Sequence, residues 1–167
     1  MLRPTPDAMR ERCFAVLGDR VTGARVLDLF AGTGAVGIEA LSRGATSVIF
    51  VDVHRKAAKL IHDNLDSLGV ESNRGSVLNR PVVRAVAELE RRKKIFDLIW
   101  ADPPFEDWGK GLDALAAVVE ANIVTAAATL CLECPAEADV EAALPANLVI
   151  ERDLKGGASR VVILRTK

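Results

Sequence analysis

The chain has 167 residues, half of them hydrophobic and 27% charged, enough for one domain with a full apolar core and unlike a disordered composition. Lys and Arg (22) nearly balance Asp and Glu (23), leaving a net charge of −1, so no global field draws the chain to nucleic acid and such binding must rest on local patches. No apolar run approaches the about 18 residues of a membrane span, no charged-then-apolar leader opens the sequence, and three cysteines make no disulfide framework, so a reducing, cytoplasmic setting is expected.

Thr5-Pro6 places a cap and a first-turn proline at the head of a helix that Gly18 ends. Residues 25–30 read as a first strand and 34–42 as the helix after it. A second strand at 47–51 leads into an amphipathic helix over 54–68, and a weaker third strand at 73–77 into a helix at 82–92. The fourth strand, 95–100, ends at Asp102-Pro103-Pro104-Phe105. A helix at 112–122, a fifth strand at 129–133 and a short helix at 138–144 follow. Strands at 148–153 and 160–164 share the Lys155-Gly156-Gly157 connector and should pair antiparallel. The alternation predicts an α/β fold: a mostly parallel doubly wound sheet with an antiparallel strand at one end. No repeat or linker interrupts it, so residues 1–167 read as a single domain.

Two stretches carry chemistry. Asp28-Leu29-Phe30-Ala31-Gly32-Thr33-Gly34-Ala35-Val36-Gly37 joins a strand directly to a helix and matches G-x-G-x-x-G at Gly32, Gly34 and Gly37. Asp52, 20 residues after Gly32, stands where a carboxylate can accept both ribose hydroxyls. NAD-dependent enzymes share that spacing, but a carboxylate at Asp28 repels a pyrophosphate and attracts the ammonium of an amino acid tail. S-adenosylmethionine has that ammonium, a ribose, an adenine and no phosphate. The plain structural reading of Asp28 is a helix cap.

The second stretch is Asp102-Pro103-Pro104-Phe105 at a strand's carboxyl end. Its prolines lack N–H groups, so nearby carbonyls are free to face a cleft and, with Asp102, to accept from an exocyclic amine on a planar base. Phe105 offers the base a stacking face. A target base must leave its own stack to enter, which favours a loop or bulge nucleotide. The bland alternative is a Pro-Pro strand stop with Phe105 in the core.

With these motifs the chain resembles the RsmD family of bacterial 16S rRNA (guanine-N2)-methyltransferases, within the class I S-adenosylmethionine-dependent enzymes. The resemblance also rests on Arg3-Pro4-Thr5, Arg10-Glu11 and Glu39-Ala40-Leu41-Ser42-Arg43-Gly44-Ala45. It implies a seven-stranded Rossmann-like sheet with helices on both faces. It further implies S-adenosylmethionine as methyl donor, and a guanine N2 of 16S rRNA in the small ribosomal subunit or its assembly intermediate as acceptor; nothing in the sequence demands a dimer, so a monomer is expected. Carried over by position, Asp28, Phe30, Gly32 and Gly34 surround the methionine part of the cofactor, Asp52 holds the ribose, and Val53 or His54 lies beside the adenine. Ser76, with Val77, takes the place after the third strand where relatives often carry Asp or Asn for the adenine amine. Asp102, Pro103 and Phe105 take the catalytic roles, Asp102 also bordering the cofactor, while Arg3, Arg10, Phe105 and Trp108 meet the RNA. Relatives usually begin with a basic, Gly-rich hairpin before Arg-Pro-Thr, an expected RNA contact; here Met1-Leu2 stands there.

The tetrad alone equally suits adenine N6 or cytosine N4 in DNA. An NAD-dependent oxidoreductase is disfavoured by Asp28, and a catalytically idle RNA-binding module by intact Asp28 and Asp102. Cys131-x-x-Cys134 sits in a strand where residues three apart face opposite ways, and no metal site is expected. His54 and His62 read as residues of a solvated helix. Arg91-Arg92-Lys93-Lys94 reads as a solvated helix end, or else a phosphate contact, and Trp108 either lines the target pocket or covers the core.

Overall fold

Strands with apolar residues on both faces need helical cover on both sides. The computed structural model, which describes residues 6–167, supplies it in three layers. In chain order the elements are α1 (Pro6–Leu17), a 3-10 turn (Gly18–Arg20), β1 (Arg25–Leu29), α2 (Ala35–Ser42), β2 (Ser47–Val51), α3 (Arg55–Ser67), β3 (Gly75–Leu78) and α4 (Val82–Arg91). There follow β4 (Phe96–Ala101), a 3-10 turn (Phe105–Asp107), α5 (Gly109–Glu120), β5 (Val124–Pro135), α6 (Val140–Ala143), β6 (Leu148–Gly156) and β7 (Ser159–Thr166). The cap expected at Thr5 lies outside the described residues.

The seven strands form one sheet in the order β3-β2-β1-β4-β5-β7-β6. Only β7 runs against its neighbours, pairing antiparallel with both β5 and β6. This is the class I methyltransferase architecture expected from the resemblance, with one correction. The reversed strand is inserted one place in from the edge rather than at it, because the tight turn after Gly156 folds β7 back between β6 and β5.

Alternation divides the core in two. Leu27, Leu29, Ile99, Ala101, Leu130 and Leu132 pack beneath α4 and α5. Val26, Val48, Phe50, Leu98, Trp100 and Cys131 pack beneath α1, α2 and α3. Cys131 and Cys134 therefore fall into opposite layers, both buried and both free thiols. Phe14 of α1 stacks on Trp100 of β4, with ring centroids 5.8 Å apart, and holds α1 against the sheet below the strand tips. Gly37 lets α2 lie close on β2: a Cβ there would collide with the Phe50 ring and stand 2.7 Å from Val48 Cγ1.

Several boundaries differ from expectation. β5 begins five residues before the expected 129, β3 sits later than the expected 73–77, and α5 begins at Gly109. No helix among the described residues is long and apolar enough to cross a membrane.

Candidate active site

In an open α/β sheet the strand tips diverge where the order reverses, and ligands settle there. Here β1 leads to β2 on one side and to β4 on the other, and a cavity of about 990 Å³ opens at the carboxyl ends of these strands. Pockets for one small ligand span about 300–1,000 Å³, so this one has room for a nucleoside-sized group with a planar base beside it.

Asp52 follows β2 and is only 7% exposed. Its Oδ2 accepts from the Gly32 N–H at 2.8 Å and its Oδ1 from the His54 N–H at 2.9 Å. A carboxylate has about four lone-pair directions, so each oxygen keeps one for a further donor, which fits a vicinal diol. The Asn79 side-chain amide donates to the Asp52 carbonyl at 3.0 Å and ties the tips of β2 and β3 together. Beyond Asp52 the wall turns apolar, with Val53, Val82, Val86 and the 80% exposed Val83.

The glycine loop is built as the motif suggests, but its acid is turned elsewhere. Phe30, Gly32 and Gly34 adopt positive φ, and Phe30 and Gly32 line the cavity while Gly34 starts α2. Asp28 is 1% exposed, accepts from the Gly37 N–H of α2 at 3.1 Å and does not line the cavity. Strand alternation explains this: Leu27 and Leu29 face α4 and α5, which turns Asp28 beneath the first turn of α2, where unpaired N–H groups need an acceptor. The direct ammonium contact expected of Asp28 is therefore replaced by a capping role. Burial pushes its carboxyl well above the usual range, reinforced by the charges of Asp102 and Asp52.

Asp102 follows β4 and Glu133 lies near the end of β5. Ala101 pairs with Leu132, so the next residues, Asp102 and Glu133, stand side by side on the α1 face. Their carboxyls are near enough to shift each other's titration. Burial raises Asp102 to about 6. Burial, then the charge of Asp102, raises Glu133 to about 7, against the pull of Arg10. Both acids line the cavity with Arg10, whose buried Nε has no hydrogen-bond partner among the described residues. Pro103 is buried against α5, which approaches closely because Gly111 has no Cβ; one there would stand 2.9 Å from Pro103 Cγ. Phe105, 40% exposed, lines the mouth.

The cavity thus brings together Phe30, Gly32, Asp52, Val53, His54, Asp102, Pro103, Phe105 and Arg10. Besides Asp28 and Gly34, it excludes Ser76, Val77 and Trp108 among the expected residues. Ser76 and Val77 lie inside β3, paired with Ile49 and Phe50, so the residue after the strand is Asn79. Trp108 is half-buried against the core beneath α5 and covers it instead of lining the pocket. Arg3 lies outside the described residues, and Arg12 donates to the Lys155 carbonyl at 2.7 Å, away from the cavity. The run from Arg91 to Lys94 is exposed at the amino end of β4, about 20 Å of strand from the tips, which sets it apart from the site. Among the described residues no group of three or more His, Cys, Asp or Glu is arranged to hold a metal.

The family described as Conserved hypothetical protein 95, the RsmD family, matches residues 1–165. The chain belongs to this family. Among RsmD relatives, the Ribosomal RNA small subunit methyltransferase D of Haemophilus influenzae is 35% identical over 104 residues, 62% of this chain and 53% of its own length. The Bacillus subtilis protein YlbH is 38% identical over 118 residues, 71% of this chain and 62% of its own. The chain therefore spans between half and two thirds of the curated relatives it matches. A solved Streptococcus pyogenes structure superposes with a TM-score of 0.82 at 31% identity, covering 95% of each chain. In this RsmD-family chain the site residue that sequence reasoning missed is Glu133. Its signal was available: a lone acid near the carboxyl end of an apolar strand, on the opposite face from Leu132 and Cys134.

Proposed function

We propose that the chain transfers a methyl group from S-adenosylmethionine to the N2 amine of a guanine in 16S rRNA. The observation that carries this reading is one cavity bordered on one side by Asp52 and on the other by Asp102-Pro103-Pro104-Phe105. The residues fit the donor. Asp52 keeps two acceptor directions for the ribose diol, and the valines beyond it offer an apolar slot for the adenine. Asp7, Asp52, Asp102, Asp113 and Glu133 outnumber Arg10 and Lys110 on the wall, a balance that favours a cationic ligand and disfavours a pyrophosphate. S-adenosylmethionine, when bound, supplies an electrophilic methyl on a cationic sulfur.

The chain's own part is placement and proton handling. Phe105 stacks on the base, a contact worth about 1–3 kcal/mol. The Asp102 carboxylate accepts from the target amine, which localises the nitrogen lone pair and stabilises the positive charge that develops there. Asp102 then takes up the proton the nitrogen sheds. Relatives named for small-subunit rRNA support that RNA as the substrate, and with it a cytoplasmic setting. Labelled methyl donor offered to unmodified small subunits, free 16S rRNA and DNA tests the reading. Label is expected at guanine N2 in the rRNA, and label at adenine N6 or cytosine N4 of DNA would replace it.

A further inference from the structure

Asp102 and Glu133 form a structure that amine positioning alone does not require. One carboxylate beside an exocyclic amine is enough to hold it; here a second stands at the same level of the neighbouring strand, on the same face and in the same cavity. Adjacent strands run about 4.8 Å apart, so two acceptors are presented side by side to whatever edge enters between Phe105 and α1. Both line one cavity wall, and Arg10 of α1 lines it too and draws Glu133 toward its ionised form.

The candidate amines differ at the adjoining ring nitrogen. Guanine presents N1–H beside its N2 amine, two donors in a row. Adenine presents a bare N1 beside its N6 amine, and cytosine a bare N3 beside its N4 amine. An ionised second acceptor therefore suits guanine and faces a lone pair in the other two, which leaves the buried carboxylate unsatisfied unless it takes up a proton.

We infer that Glu133 is a specificity-determining residue of the target pocket, its carboxyl oxygen accepting the N1–H of the guanine whose N2 amine lies against Asp102. The inference rests on the methyltransferase reading above and deepens it. It makes the choice of base a property of the strand pair β4–β5, with Asp102 holding the reacting group and Glu133 reading the atom beside it. Phe105 stacks on any base and so adds affinity without choice.

The test uses 2-aminopurine, which keeps the exocyclic amine but carries a lone pair where guanine has N1–H. Once the methylated nucleotide is mapped, small subunits are reconstituted with guanine or 2-aminopurine at that position, and kcat/KM is measured for the wild type and Glu133→Leu. A site built to accept a hydrogen bond rejects the analogue lacking it strongly, and the wild type is expected to prefer guanine by roughly 100-fold or more. Glu133→Leu is expected to slow the guanine reaction and bring the two bases within about tenfold, because neither now meets an acceptor. Binding of S-adenosylhomocysteine by the variant verifies its fold; should it fail to fold, the wild-type preference decides alone. The inference is overturned if the variant slows both bases in step, as a purely structural role requires, or if the wild type methylates 2-aminopurine as fast as guanine. Transfer only to adenine or cytosine, or to no nucleic acid, overturns the proposed function itself and the inference with it.

Discussion

Replacing Asp52 by alanine separates the cofactor half of the site from the rest. The carboxylate is buried, and each oxygen has one backbone donor, Gly32 N–H at 2.8 Å and His54 N–H at 2.9 Å. What remains is one acceptor position per oxygen for the two ribose hydroxyls. Hydrogen bonds to a charged group contribute about 1.5–3 kcal/mol each, so losing both costs about 3 kcal/mol or more. At about 1.4 kcal/mol per factor of ten, Kd for S-adenosylhomocysteine should rise roughly 100-fold or more. Asp52→Asn keeps one acceptor oxygen and should lose roughly tenfold. Isothermal titration calorimetry measures both, with thermal melting alongside because the alanine variant also frees two loop N–H groups, at about 1–3 kcal/mol if they stay dry. A folded Asp52→Ala protein that binds S-adenosylhomocysteine as tightly as the wild type would refute the ribose assignment.

Other variants probe the remaining parts. Asp102→Ala should lower single-turnover methyl transfer by about 10²–10³ while leaving S-adenosylhomocysteine affinity close to wild type; undiminished turnover removes the acid from the reaction. Transfer should accelerate as pH rises through about 6 to 7, where Asp102 and Glu133 lose their protons, and a flat pH–rate profile over that range contradicts it. Stability runs the other way. Both carboxyls are raised in the folded state, so the stabilisation they contribute is complete below about pH 4 and is lost as pH climbs through about 6 to 7. Calorimetric melting should show that the Tm difference between Glu133→Leu and wild type shifts in favour of the variant over that interval. Gly37→Ala forces a methyl group into Phe50 and Val48 and should cost about 1–3 kcal/mol, a Tm loss of several degrees; an unchanged Tm would mean that α2 slides freely on β2.

Strand–turn–helix punctuation made the first half of the fold readable. The runs at 25–30, 47–51 and 95–100 each fall within about one residue of β1, β2 and β4, because β-branched residues end abruptly at Asp or Gly. In β3, with Gly75 and Ser76 in it and only Val77 and Leu78 apolar, the pattern is too short to set the frame, and Ser76 falls inside the strand instead of beyond it. The start of β5 was hidden by Ala126, Ala127 and Ala128, small residues without β preference. At the site, Asp52 and the Asp102 tetrad were visible because their backbone context is unusual. Asp28 misled because its residue type suits both a ligand and a cap, and only the neighbouring helix decides. Glu133 shows locally only as a lone acid near the end of an apolar strand, and its place beside Asp102 depends on the register between β4 and β5.

The placement of the two tryptophans has a practical consequence. The chain holds no tyrosine, and its only indoles are Trp100, sealed beneath Phe14 two residues before Asp102, and Trp108, half-covered three residues after Phe105. Ultraviolet emission therefore comes from a single short segment, the one that carries Asp102 and Phe105. Ligand entry, proton uptake at the acid pair and local melting of that segment can all be followed by the native glow of the unlabelled chain.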